Sequence, residues 1–197
     1  MLRIKGERHR RAFAMMRATL FQRILLTTTV RRAIVIAAAL LAASNVAATE
    51  LIRNKDFEDD SCKPAGGVCK EWTFTGNGNV TDDAHTGTRG ATVGGQGNAA
   101  GTVTQSLTLE KGVYSFSFWY VARSGGNGLS AAIVRIAGKT VFLKMLEPES
   151  EPQWKQYQMF LIVDGTGPTT IDFISQIPPH FAGPSFQIDD VSLDDYR

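Results

Sequence analysis

The chain predicts an all-β domain, two antiparallel sheets packed face to face, and two observations carry that prediction. From Leu51 onward no stretch keeps a helical period, whereas runs of alternating β-branched and aromatic residues recur between clusters of Gly, Asn and Pro. About eight to ten such short strands within one domain require a sandwich or barrel, because each half-apolar strand has to bury one face against a second sheet. A two-sheet jelly roll is the economical solution.

The first 48 residues stand apart from that domain. They hold nine of the chain's 21 Lys and Arg but a single acidic residue, Glu7. The apolar run Ala33 to Ala43 follows Arg31-Arg32, and Val46-Ala47-Ala48 supplies the small residues of a cleavage site. Residues 1–48 therefore read as a signal peptide cut near Ala48, with Met1, Met15 or Met16 as the start. A membrane-spanning helix needs about 20 predominantly apolar residues, and Ser44 and Asn45 interrupt this run. The expected product is a single domain, 49–197, that is secreted, periplasmic or at the cell surface and has no span of its own. It carries 12 basic against 18 acidic residues, a net charge of −6. Its Lys and Arg are scattered singly, which excludes a nucleic-acid footprint.

Along that domain, weak strands are expected near Leu51, Trp72 and Ala91. Cys62 and Cys69, the only cysteines, are expected to pair in an oxidising compartment. In Thr102 to Leu109, Val103, Leu107 and Leu109 share one face and the threonines and serine the other. Lys111-Gly112 then turns the chain into Val113 to Val121, where Tyr114, Phe116, Phe118 and Tyr120 alternate with Ser115, Ser117 and Trp119. The pair is predicted to form a half-buried hairpin. Further strands are expected at Leu129–Ile136, Val141–Met145, Trp154–Val163, Thr169–Ser175 and Phe186–Leu193. Gly125-Gly126-Asn127-Gly128, Ala137-Gly138-Lys139 and Asp164 to Pro168 supply the turns between them.

Catalytic signatures are thin. The domain holds two histidines, His85 and His180, no Gly-x-Ser-x-Gly elbow, and no carboxylate pair in a recognisable motif. No enzyme is predicted. A sugar platform needs an aromatic face open to solvent with polar groups around it. Trp119 is the leading candidate because it falls on the serine-bearing face of its strand. Gln105, Arg123 and Gln176 are candidate hydrogen-bonding partners, and His180 lies in the Pro-flanked segment Pro178 to Pro184 that would form a rim. The competing reading makes these aromatics core residues, and Trp72 and Trp154 are assigned to the scaffold.

One ordered set of motifs runs through the domain: Asn54-Lys-Asp-Phe-Glu58, Trp72, His85-Thr-Gly-Thr-Arg89, Gln105-Ser-Leu107, Gly112 to Phe118, Trp154-Lys-Gln-Tyr157 and Ile188-Asp-Asp-Val-Ser192. It resembles the galactose-binding-like jelly rolls of secreted carbohydrate-binding modules, families 4, 9 and 22. The resemblance implies a non-catalytic protein that binds a polysaccharide or cell-envelope glycan. It also implies a structural calcium beside the paired termini, held by side-chain oxygens of Glu58 and Asp189 and a main-chain oxygen of Thr86 or Arg89, with Asp190 as a substitute for Asp189. Calcium takes six to eight oxygens at flexible geometry, which suits such a set. The alternative is a structural or adhesive matrix module that contacts a protein partner and has no sugar affinity.

Overall fold

The computed structural model describes residues 48–64, 69–94, 100–123, 130–147, 151–176 and 186–196. The expected signal peptide, the turn at Gly125 to Gly128 and the loop containing His180 lie outside these residues. Among the described residues there is no helix, and so none long and apolar enough to cross a membrane.

Eleven strands are described: β1 Thr49–Glu50, β2 Thr73–Gly76, β3 Asn79–Thr81, β4 Gly90–Val93, β5 Gly101–Leu109, β6 Gly112–Ala122, β7 Ser130–Ile136, β8 Lys139–Leu146, β9 Lys155–Val163, β10 Gly167–Gln176 and β11 Phe186–Asp195. They form two antiparallel sheets. The first has the order β3-β4-β11-β6-β9 with β1 also on β11, and the second β2-β5-β10-β7-β8. This is the predicted sandwich, and its termini pair as expected, Thr49 against Asp195 and Glu50 against Asp194.

Alternation along β6 explains the core. Tyr114, Phe116 and Phe118 are fully buried and point at the second sheet, where the Phe118 ring lies 5.2 Å from Phe173 and 5.3 Å from Phe142. A buried side chain of this size stabilises the fold by about 1.5–3 kcal/mol, so this one strand anchors much of the interface. Trp72 sits in the scaffold role assigned to it, buried against Phe57 at 5.0 Å, with its indole N–H donated to the Asn54 carbonyl at 2.8 Å.

The predicted hairpin between Thr102–Leu109 and Val113–Val121 is not formed. β5 pairs with β2 and β10 in the second sheet, whereas β6 pairs with β11 and β9 in the first. Their apolar faces meet across the core and do not extend one surface. The Tyr114 hydroxyl fixes this crossing corner, since it donates to the Glu110 carbonyl at 2.7 Å and accepts the Glu110 N–H at 3.1 Å. By contrast β7 and β8 do form a hairpin, with Ala137 and Gly138 both at positive φ (51° and 72°), the combination a two-residue type I′ turn demands. β3, too short and polar for its period to register, was not anticipated.

Cys62 and Cys69 are joined in a disulfide. Asn54 braces the closed loop, its amide donating to the Lys70 carbonyl and to both sulfurs, while its oxygen accepts the Asp59 N–H.

Candidate ligand and metal site

The segment between β3 and β4, residues 82–89, has no apolar residue large enough to bury, so side chains from two other parts of the fold hold it in place. On one side are Asp189 and Asp190 of β11. Asp189 lies opposite Trp119 of β6 and is fully buried, and its Oδ2 accepts the N–H groups of His85 at 2.8 Å and Thr86 at 3.0 Å. A bulge between Asp189 and Ser192 places Asp190 at φ 46°, where its carboxylate takes His85 Nδ1 and the Thr86 hydroxyl, each at 2.7 Å. On the other side Glu58 accepts the Thr88 and Arg89 N–H groups on Oε1 and the Thr88 hydroxyl on Oε2. Gly87 between them has φ 67°, and a Cβ there would collide with Glu58 Oε1. The loop needs glycine at that point for space as well as for conformation.

Electrostatics distinguishes the two carboxylates. Burial pushes Asp189 up to about 6, against the pull of its N–H donors and with a contribution from neighbouring Asp190. Burial acts upward on Glu58 too, but the Thr88 and Arg89 N–H groups, the Thr88 hydroxyl and the Arg89 charge outweigh it and hold the acid below its ordinary value. Arg89 also donates to the carbonyls of Glu58 and Asp59. Thr86 and Arg89 thus meet the carboxylates through their N–H groups. Among the described residues no three His, Cys, Asp or Glu side chains converge on a point, so an ion at this loop would have to complete its shell with backbone or hydroxyl oxygens. Apart from His85 Nδ1 the side-chain groups available as ligands are all hard oxygens. That chemistry fits calcium.

Above the loop the sequence-predicted ligand residues separate. Trp119 is half-buried, with His85 stacked on its ring at 3.8 Å and 12°. Trp154, also half-buried, meets the His85 ring edge-on at 5.8 Å. Arg123 lies with its guanidinium carbon 5.8 Å from the Trp154 centroid, pairs with Asp83 and donates to Gln187 Oε1 at 2.7 Å. Trp119 and Arg123 therefore come together, and Trp154, His85, Asp83 and Gln187 join them. Trp154, which the sequence assigns to the scaffold, stands in this cluster, and its place just before the Lys155–Val163 strand, beyond Pro152, is the available signal.

The other predicted residues lie elsewhere. Gln105 is a correction: it is buried, its amide spent on the backbone N–H and carbonyl of Arg53 at 3.0 and 2.8 Å, because its parity in β5 points it inward with Val103 and Leu107. Gln176 is exposed at the end of β10, in the opposite sheet from Trp119, so the two cannot share a site. His180 lies outside the described residues.

Comparison with known proteins adds the following. The model of a family described as "Carbohydrate binding domain" matches residues 49–180. No curated protein matches the chain. A family 61 carbohydrate-binding module solved with β-1,4-galactotriose is 22% identical, with a TM-score of 0.52 over 74% of this chain and 97% of that one. The tandem CBM22-1–CBM22-2 domain of Paenibacillus barcinonensis Xyn10C is 15% identical with a TM-score of 0.51, covering 79% of this chain and 47% of that one. The K3 adhesin domain of Lys-gingipain from Porphyromonas gingivalis is 16% identical with a TM-score of 0.51, covering 74% and 98%. At these identities the likeness establishes the β-sandwich.

Proposed function

Because the chain belongs to the carbohydrate-binding domain family, we propose that it is an exported, non-catalytic protein that binds a polysaccharide or envelope glycan on a calcium-stabilised sandwich. The observation that carries the choice of site is the grouping of Trp119, His85 and Trp154 with Arg123 and Asp83 at one end of the first sheet. Sugars are recognised by C–H stacking on an aromatic face combined with directional hydrogen bonds to hydroxyls, and here half-exposed rings stand within reach of a guanidinium and a carboxylate. His85 covers one face of Trp119, while Trp154 has the Arg123 guanidinium over its ring and His85 at its edge. Calcium, held by Glu58 and Asp189 with loop oxygens, would supply charge and rigidity beneath this cluster and no reaction. The cluster and the metal loop share His85, so fixing one fixes the other.

A second surface merits a direct comparison. On the outer face of the second sheet, Asp172 accepts the hydroxyls of Thr104 at 2.9 Å and Thr170 at 2.8 Å, lies across from Arg135, and shares its face with Gln176. Such a polar row, interrupted by Ile174, also suits a sugar chain.

Affinity electrophoresis through soluble β-1,4-galactan and xylan tests the proposal. Trp154→Ala should weaken retention by at least about thirty-fold, the effect of removing a hot spot worth about 2 kcal/mol. Its melting temperature should change little. Retention lost on Asp172→Ala and kept on Trp154→Ala would move the site to the second sheet. No retention on any glycan tested would favour the adhesive, protein-contacting alternative.

A further inference from the structure

We propose that the cleft at the far end of the sandwich, between β8 and β9, binds a small amphiphile whose apolar tail enters between the sheets and whose neutral, hydroxylated head stays at the mouth. The ladder of β6 with β9 joins Trp119 to Gln156 near one end and Gly112 to Val163 at the other. At about 3.3 Å per residue, the stretch of β6 from Gly112 to Trp119 sets the cleft roughly 23 Å from the aromatic cluster. It is a second site and not an extension of the glycan surface.

The cleft exists because β8 and β9 end different sheets and do not pair with each other. Its volume is about 410 Å3, within the range of about 300–1,000 Å3 typical of small-molecule sites. Leu109 and Ile136, both buried in the core, lie at its base. Val141 lines it from the second sheet, and Leu161 and Val163 line it from the first. These three pack on the core yet stay only partly buried, so they leave apolar wall for a tail to cover. The mouth is open, since at Gly165 and Gly167 of the turn before β10 even an added Cβ would meet nothing within 4 Å.

The rim decides the head. Lys139 and Asp164 both line the cleft, both are exposed, and neither forms an ion pair among the described residues. An anionic head is drawn to the first and repelled by the second, and a cationic head the reverse, so a net charge of either sign gains little. Hydroxyls are served by both, because they accept from an ammonium and donate to a carboxylate. Thr166 and Thr169 add two further hydroxyls to the lining. Thr166 Oγ1 already accepts the Lys111 N–H at 3.3 Å, an arrangement in which its own proton points away to donate. A mouth with one charge of each sign and two hydroxyls therefore fits a neutral polyhydroxyl head better than a charged one.

Methyl NMR titration of the purified protein with alkyl β-glucosides from butyl to octyl, each below its micellar concentration, reads this out. The Leu161 and Val163 methyl signals should shift, and affinity should rise about fourfold per methylene as the tail is buried. On one octyl tail, the glucoside should bind at least about threefold tighter than the carboxylate, the ammonium or the phosphocholine. Lys139→Glu, at an exposed position, should leave the melting temperature unchanged and raise the ammonium above the glucoside. Val141→Thr keeps the shape of the wall but adds a hydroxyl to it, and should weaken every octyl ligand at least about threefold. Shifts confined to the aromatic cluster, an affinity indifferent to tail length, or a charged or zwitterionic head that binds the wild type as tightly as the glucoside overturns the assignment. Glycan retention of Lys139→Glu should equal that of the wild type, and its loss would likewise overturn the assignment by making the cleft part of the glycan surface.

Discussion

At the scale of single residues, Asp189 concentrates the tension in this fold, because it is an acid buried at the sheet surface and solvated only by N–H groups. Its folded pKa of about 6 lies above the ordinary value of 3.8. Between those values the folded state keeps a proton that the unfolded state has lost, so stability falls as pH rises from about 4 to 6 and stays lower above that. The size of the effect is roughly 3 kcal/mol. Other carboxylates titrate in the same window with the opposite sign, Glu58 among them, so the quantity to measure is the difference between wild type and Asp189→Asn. In chelator that difference should shift in favour of the variant from pH 4 to pH 6.5. With about 1 mM calcium and a dissociation constant of about 0.1 mM, the wild type should regain about 1.4 kcal/mol and the variant almost none. A difference independent of both pH and calcium would remove the ion from this loop.

At the scale of the element, the decisive feature is the corner between β5 and β6. Lys111 and Gly112 can equally close a hairpin or carry the chain across the core, and local sequence does not choose. Burial chooses, because the apolar faces of both strands are satisfied when they oppose each other in different sheets. The Tyr114 hydroxyl then closes both backbone groups of Glu110, which would otherwise face the end of the core. Tyr114→Phe removes that bond pair without opening a cavity, and should destabilise the protein by about 1–3 kcal/mol in chemical denaturation with an unchanged m-value. A loss under about 0.5 kcal/mol would show that the corner is held by the packing of the ring alone.

At the scale of the whole molecule, the described residues from Thr49 to Asp195 form a β-sandwich whose first and last strands pair. Export would then proceed with removal of residues 1–48, leaving an acidic domain whose disulfide closes a short loop beside the first strand. Intact mass spectrometry of protein recovered outside the cytoplasm should give Thr49 as the first residue and a mass lower by two hydrogens, shifted by reductant and not by alkylation alone. A retained leader or two freely alkylatable thiols would count against export.

Sequence alone determined the class of the fold, because the period of two in Val113–Val121 and its companions records which face of each strand is buried. The two-cysteine loop was legible for a similarly local reason, two thiols seven residues apart, whereas the pairing of the ends was only suggested, by acidic residues set into apolar strand patterns at both of them. The choice of sheet for each strand was not legible, since β5 and β6 have the same alternation whether they lie side by side or face to face. Nor was the composition of the aromatic cluster. Parity placed Trp119 on the outer face, but only the bulge at Asp190 and the carboxylates beneath the loop bring His85 onto its ring and Trp154 to its edge. Gln105 shows the same limit from the other direction, for a polar residue on the inward parity finds its partner in Arg53, 52 residues away. Strand period is a local property written in the chain, whereas a site is a meeting of distant segments that only packing and hydrogen-bond closure decide.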